Sequence, residues 1–366
     1  MHASLAVVFA LVALGFGCEA GSSPDPEPEI ATVIDGLFAP PAGQTLLIIG
    51  QDLTSIADYT ANLALAPGGV TTYTDISEGG SPLLNGLEND ANWGAGPINA
   101  AKNLQADPNA VLAIGLHLVD NTGTNLANIA NGTHNDAIDR LGRFIQHADR
   151  PVFLRIGYEF DGPWNHYEPG PYQAAFRRIV DQLRAQGVTN FATVWQSATS
   201  KAGTYNNHPI EVWYPGDAYV DWMGTSFFEY EEAIYARFLA FARARNKPVM
   251  IAEATPQGYS VSNETYSAPG DGQTFVPKTA SAIWGEWYAP FFDLIHTNAD
   301  VIRAVAYINA DWHSQAMWGP NGGNGYWGDS RVHVDPTIRE RWLSEINQPF
   351  WLHASPDLFA TLGYAD

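Results

Sequence analysis

Two glutamates stand at the ends of apolar runs. In Pro151 to Asn165, PVFLRIGYEFDGPWN, the segment Val152 to Ile156 reads as a short buried strand; Glu159 follows it and Trp164 stands five residues beyond. In Lys247 to Ala254, KPVMIAEA, the run Val249, Met250, Ile251 leads to Glu253. A strand holds a carboxylate at its end rigidly, and a nearby indole offers a flat apolar face to a sugar ring. Two such carboxylates can cleave a glycosidic bond, one carrying a proton to the leaving oxygen and the other remaining ionised. A single strand-end Glu is more often a solvated loop carboxylate or half of an ion pair; two of them on well-formed strands favour catalysis.

The two carboxylates need opposite surroundings. Arg155, Gly157 and Glu159 share one face of the fourth strand, because side chains alternate with period two. In a barrel that face points inward and sets Arg155 one layer below the acid, where an unpaired charge is costly. Glu253 is its expected partner, because an adjacent guanidinium keeps a carboxylate ionised, as a nucleophile requires. Glu159 must instead hold a proton near neutral pH. Apolar walls from Phe160, Trp164 and Trp195, with a neighbouring negative charge, would raise its pKa. The same residue would then act as base on water, and carboxyls about 5–5.5 Å apart would mean retention of configuration.

The elements that must position these groups alternate short β-rich runs with helical patterns, the signature of repeated βα units. Candidate strands are Thr45–Gly50, Val70–Asp75, Ala110–Leu118, Val152–Gly157, Phe191–Gln196, Val220–Phe227, Pro248–Glu253 and Val301–Ile308. Eight strands close a single-domain (β/α)8 TIM barrel, an α/β fold, expected over residues 31–366. Helices are expected at Asn135–Ala148, Pro171–Gln186, Glu231–Arg245, Ala280–Asn298 with a kink or break at Pro290, and Thr337–Ile346. Long Gly-, Asn- and Trp-rich segments follow several strands: Glu78–Pro97, Asp161–Pro171, Thr255–Lys278 and Asn309–Asp335. In such a barrel, loops after strands build the active face. Their tryptophans, Trp93, Trp164, Trp312, Trp318 and Trp327, are candidates for sugar platforms or for anchors that pack the loops down. A doubly wound sheet would carry a Gly-rich nucleotide loop after its first strand, and Gly50-Gln51-Asp52-Leu53 is not one.

The chain has 366 residues and a formal net charge of −21, which argues against nucleic acid and anionic membrane surfaces. No metal-ligand spacing, nucleophile elbow or phosphate loop is present, and no cofactor is expected. Cys18 is the only cysteine. Residues 1–18 read as an export signal, and Leu14-Gly15-Phe16-Gly17-Cys18 resembles a bacterial lipoprotein signal, with Cys18 as the lipidation point. Residues 19–30, acidic and Pro-rich, read as a disordered tether. The expectation is an exported monomer, cell-envelope or secreted, touching membrane only through that anchor.

The strand-end motifs also resemble a known family. Gly50-Gln51-Asp52 after strand one, Arg155-Ile-Gly-Tyr-Glu159-Phe with Trp164 after strand four, Tyr214-Pro-Gly-Asp-Ala-Tyr-Val-Asp221-Trp-Met-Gly224 entering strand six, and Lys247-Pro-Val-Met-Ile-Ala-Glu253-Ala are similar to glycoside hydrolase family 26. This family of (β/α)8 retaining enzymes includes β-mannanases, β-1,3-xylanases and mixed-linkage β-glucanases. The resemblance covers about residues 40–345. It implies acid/base Glu159 and nucleophile Glu253; Arg155 and Tyr158 are expected to support them. Gln51, His117, Trp164, Trp195, Gln196, Tyr230, Tyr307, Asn309 and Trp312 are the expected substrate contacts. The family's usual His before the acid/base is Tyr158 here, and its Tyr after strand six gives way to Phe227 and Phe228, with Tyr230 slightly later. The implied activity is that of a retaining endo-β-glycosidase on a neutral β-linked polysaccharide. β-Mannan is placed first, then β-1,4- or mixed-linkage glucan or β-xylan. The alternative is a non-catalytic or exo-acting glycan-binding barrel lipoprotein.

Overall fold

The computed structural model describes residues 34–77, 82–201, 203–269 and 271–364. Cys18, with the expected signal and tether, lies outside them. Eight long parallel strands run in order around one sheet: β1 (Thr45–Gly50), β2 (Gly69–Asp75), β3 (Val111–His117), β4 (Val152–Ile156), β5 (Phe191–Ser197), β6 (Trp222–Phe227), β7 (Val249–Ala254) and β8 (Ile302–Ile308). β8 pairs with β1 from Leu46↔Ala304 to Gly50↔Ile308 and closes the expected barrel. The strands are buried on both faces, which makes β3 and β4 near-continuous apolar runs, whereas β2, GVTTYTD, is buried but largely polar.

Successive side chains divide between two cores. Leu112, Ile114, Leu154 and Ile156 face outward onto helix residues such as Ile138, Leu141, Phe176 and Ile179. Those helices are α4 (Asn135–Ala148) and α5 (Pro169–Ala185), preceded by α1 (Leu53–Leu63), α2 (Ala100–Ala106) and α3 (Asn125–Ala130). They are followed by α6 (Glu232–Ala244), α7 (Ala289–Thr297) and α8 (Pro336–Ile346). Val111, Ala113, Phe153, Val194, Trp222 and Met250 point inward and fill the lower barrel, where Phe153 meets Trp222 edge-on at 5.2 Å.

The expected helix break is local. A helical turn at Ala280–Ile283 widens to a π-helical stretch, Trp284–Tyr288, before α7 resumes. Pro290 has no N–H to donate to residue 286, so the backbone takes an extra residue into that turn. The loop after β7 carries a small antiparallel sheet made of Tyr259–Ser260, Thr265–Tyr266 and Val276–Pro277.

Candidate active site

Above the inward apolar layer, Tyr73, Gly115 and Arg155 are register neighbours on β2 to β4. Arg155 is wholly buried. Its Nη2 donates to Glu253 Oε1, and its Nε donates to Gln196 Oε1 at 2.8 Å. The guanidinium lies 5.3 Å from the Tyr73 ring and 5.0 Å from the Tyr158 ring, which favours keeping the cation in a desolvated place. The expected pairing of Arg155 with Glu253 is therefore present. Burial works against the Arg155 charge, but Glu253 more than restores it and holds the group above its ordinary range.

Glu253 reaches the interior by a bulge. Met250 and Ala252 face inward, so strict alternation would turn Glu253 toward the helices. The register instead shifts, Thr225 opposing Ile251 and Ser226 opposing Glu253, which aims the carboxylate into the barrel. Its Oε1 also accepts the Tyr73 hydroxyl at 2.6 Å. Among the described residues both donors fall on Oε1, and Oε2 is left for another partner.

Glu159 arrives differently from expectation. β4 ends at Ile156, and Gly157 (φ 54°) and Glu159 (φ 52°) are left-handed, so the alternation does not run on to the acid. A left-handed Glu costs about 1–2 kcal/mol, and Asn165 holds the turn by donating from Nδ2 to the carbonyls of Tyr158 (3.1 Å) and Glu159 (2.8 Å). Glu159 Oε1 accepts from Ser226 Oγ at 2.7 Å, and Oε2 accepts from Trp164 Nε1 at 3.1 Å. Ser226 in turn accepts from Gln196 Nε2 at 3.0 Å. One chain of hydrogen bonds thus runs Glu159–Ser226–Gln196–Arg155–Glu253–Tyr73 around the barrel wall. Burial first, then the charge of Glu253, pushes the Glu159 pKa up to about 8 against the Ser226 bond. The carboxyl is a proton holder at neutral pH, as a general acid must be.

The remaining expected contacts separate by strand face. His117, half-buried, points inward from β3, with its ring 5.8 Å from Tyr158, and burial lowers its pKa. Trp164 and Tyr230 are exposed, and Gln51 is half-buried just beyond β1. Gln196 is inward but fully buried, with both amide ends spent on Arg155 and Ser226, so it braces the site rather than binding sugar. Trp195 cannot share that face with its neighbour. It is buried on the helix side, stacked on Phe160 at 4.4 Å and packed against Phe238, which corrects its expected place in the cleft and removes both rings from the acid's walls. Tyr307 is likewise outward and buried, its hydroxyl bonded to Tyr288 and to the Ser330 carbonyl. Asn309 is buried and accepts Val332 N at 2.9 Å, bracing the loop after β8. Trp312 is 2 % exposed and bonds through Nε1 to Thr255 and Ser330; it anchors a cluster with Trp318 and Trp327 and offers no open ring face.

Tyr73, Ser226, Asn165 and Asp161 were missed. Asp161 is fully buried and accepts from Ser197 Oγ, Ala198 N and Tyr205 N, each at 2.7 Å, tying the turn after β4 to the loop after β5. Burial pushes its pKa up to about 6. The available signal was a polar group carried by a strand with barrel periodicity, as at Tyr73 in GVTTYTD and Ser226 in WMGTSF. Among the described residues no group of three or more His, Cys, Asp or Glu is placed to hold a metal ion.

Comparison with known proteins agrees with this fold. The family model of glycosyl hydrolase family 26 matches residues 116–268. A beta-1,3-xylanase, TXYA, from Vibrio sp is 38% identical over 341 residues, 92% of this chain and 72% of that protein. A beta-1,3-xylanase from Alcaligenes sp is 37% identical over 91% of this chain and 70% of its own length. In fold, the chain is similar to a β-mannanase from Bacteroides ovatus, with a TM-score of 0.55 at 16% identity, covering 87% of this chain and 93% of that one.

Proposed function

The chain belongs to glycosyl hydrolase family 26, and from that premise we propose that it cuts β-1,3-xylan internally, with Glu159 as acid/base and Glu253 as nucleophile. It is a retaining glycoside hydrolase. The observation that carries the substrate is the identity of 38% and 37%, over nine-tenths of the chain, to two proteins named as β-1,3-xylanases. The mannanase likeness is one of fold at 16% identity. β-1,3-Xylan accordingly moves ahead of β-mannan, which the motifs alone placed first.

The bonding pattern supports the assigned roles. Glu253 Oε1 is fixed by Tyr73 and Arg155, which leaves Oε2 for the anomeric carbon. Oε2 attacks, the glycosidic C–O bond breaks, and Glu159 gives its proton to the departing oxygen. A glycosyl ester on Glu253 results. Esterification removes the negative charge that helped raise the Glu159 pKa, so Glu159, having given up its proton, stays ionised and is available as base. It takes a proton from water, which attacks the anomeric carbon and releases the sugar with its configuration retained. Both carboxylates and Arg155 are present and bonded, which leaves the non-catalytic alternative without support.

Incubation with β-1,3-xylan, β-1,4-xylan, mannan and β-glucans, with product sizing, tests the substrate. Short β-1,3-xylooligosaccharides of mixed length are expected. Turnover of mannan with β-1,3-xylan untouched would sink the substrate reading. In parallel, Glu253→Ala should lose turnover and regain formation of a glycosyl azide when azide is added; full hydrolysis by that variant rules out its role as nucleophile.

A further inference from the structure

Among the described residues, the exposed Trp, Tyr and Phe side chains are Trp93, Trp164, Tyr230 and Phe275. Each lies in a segment following the C-terminal end of a barrel strand: β2, β4, β6 and β7 respectively. Apolar rings left in water on one end of the barrel alone mark a surface that is covered in use. Trp164 is explained by its bond to Glu159. Trp93 has no such explanation, being 44% exposed. The loop-anchoring tryptophans of this face behave differently: Trp312 is 2% exposed and Trp327 9%.

The segment carrying Trp93 is held in place. Ala91 and Ile98 exchange both backbone hydrogen bonds, at 3.0 and 2.8 Å, closing the loop. Leu53 N donates to the Pro97 carbonyl at 2.8 Å, and Met317 N donates to the Gly94 carbonyl at 3.3 Å. Gly94 and Gly96 both have φ +96°, and a Cβ on Gly96 would lie 2.4 Å from Asp52 Cγ. The loop is therefore clamped between the segments after β1 and β8. Around the barrel rim that arc is opposite the one formed by β4 to β6, which carries Trp164 and Tyr230.

We propose that Trp93 is the platform of a distal subsite, stacking one pyranose ring of a neutral β-linked polysaccharide away from the bond being cut, on the rim opposite Trp164. The apolar CH face of a sugar suits an indole already fixed and exposed, and a pre-ordered ring loses little entropy on binding. This inference rests on the reading of the chain as an endo-acting glycosidase. A subsite far from the reacting centre adds equal binding to substrate and transition state, so its loss falls on KM and not on kcat.

The test compares wild type, Trp93→Ala and Trp93→Phe on polymeric β-1,3-xylan and on an aryl β-xylobioside. For Trp93→Ala the KM on polymer should rise about ten-fold with kcat unchanged. The aryl xylobioside, too short to reach the rim, should register less than about a two-fold change, and Trp93→Phe should recover most of the polymer affinity. An unaltered polymer KM in Trp93→Ala, or an equal loss on both substrates, overturns the proposal. Should the wild type cut mannan or glucan instead of xylan, the substrate reading falls, and the same comparison on that polymer still decides the subsite.

Discussion

Glu253 takes the Tyr73 hydroxyl at 2.6 Å and the Arg155 guanidinium on the same oxygen, while Glu159 is held by neutral donors, Ser226 and Trp164. Identical side chains thus sit in opposite surroundings, as the two proposed roles require. Burial, then the charge of Glu253, keeps Tyr73 well above the usual tyrosine range, so it remains a donor at any working pH. Tyr73→Phe keeps the ring over Arg155 and removes only the hydroxyl. A hydrogen bond to a charged group is worth about 1.5–3 kcal/mol, so kcat/KM should fall about ten- to hundred-fold. Because the hydroxyl is bonded to the proposed nucleophile, the loss should fall on kcat of the glycosyl-transfer step, with KM little changed. A Tyr73→Phe variant with wild-type kcat would show that Tyr73 does not act through Glu253. Tyr158, in the position where the family usually has His, spends its ring on Arg155, Tyr73 and His117.

At the scale of elements, three local departures from regularity build the site: the bulge on β7, the left-handed turn after β4, and the glycine on β3. Gly115 is where the two tyrosine rings gain room. A Cβ there would lie 2.6 Å from Tyr73 Cδ1 and 3.2 Å from Tyr158 Cε1. Gly115→Ala must push Tyr73 away from Glu253 or strain the barrel wall, at a cost of about 1–3 kcal/mol. We expect a lowered melting temperature together with a reduced kcat, measured side by side; wild-type values for both would contradict the packing. The strands and the helices α4 to α8 were legible because apolar residues recur at periods of two and 3.6. Asn135–Ala148 matches expectation residue for residue. The bulge was not legible, since it depends on how β6 and β7 register, and KPVMIAEA alone carries no mark of it. Trp195 was misread for a simpler reason: it adjoins Gln196, and adjacent strand residues point to opposite faces.

For the whole molecule, the site sets a limit on stability. An acid whose pKa rises on folding, from 4.5 to about 8 at Glu159, binds its proton more tightly in the native state. The stability it contributes is complete below pH 4.5 and is lost as pH climbs through about 8. Asp161, pushed up to about 6, acts in the same sense. Glu159→Gln removes the titration while keeping the shape. Its melting temperature should match the wild type near pH 4 and exceed it by several degrees at pH 8.5, a difference followed by thermal scans across pH. A gap that stays constant with pH would mean that Glu159 is not held protonated by the fold. The same carboxylate should give the alkaline limb of kcat/KM, with activity falling as pH rises through about 8.

By itself the amino-acid sequence determined the number of strands, the barrel, and the two glutamates with Arg155 beneath them. These follow from local periodicity and from the cost of burying a lone charge, both of which are properties of short segments. Only the tertiary structure decided that Tyr73 serves Glu253, that Ser226 and Gln196 join the two carboxylates, and that Trp195, Tyr307, Asn309 and Trp312 brace the fold and do not line the cleft. Those outcomes turn on which residues face each other across the closed sheet, and closure is a relation among strands as far apart in the chain as Tyr73 and Glu253.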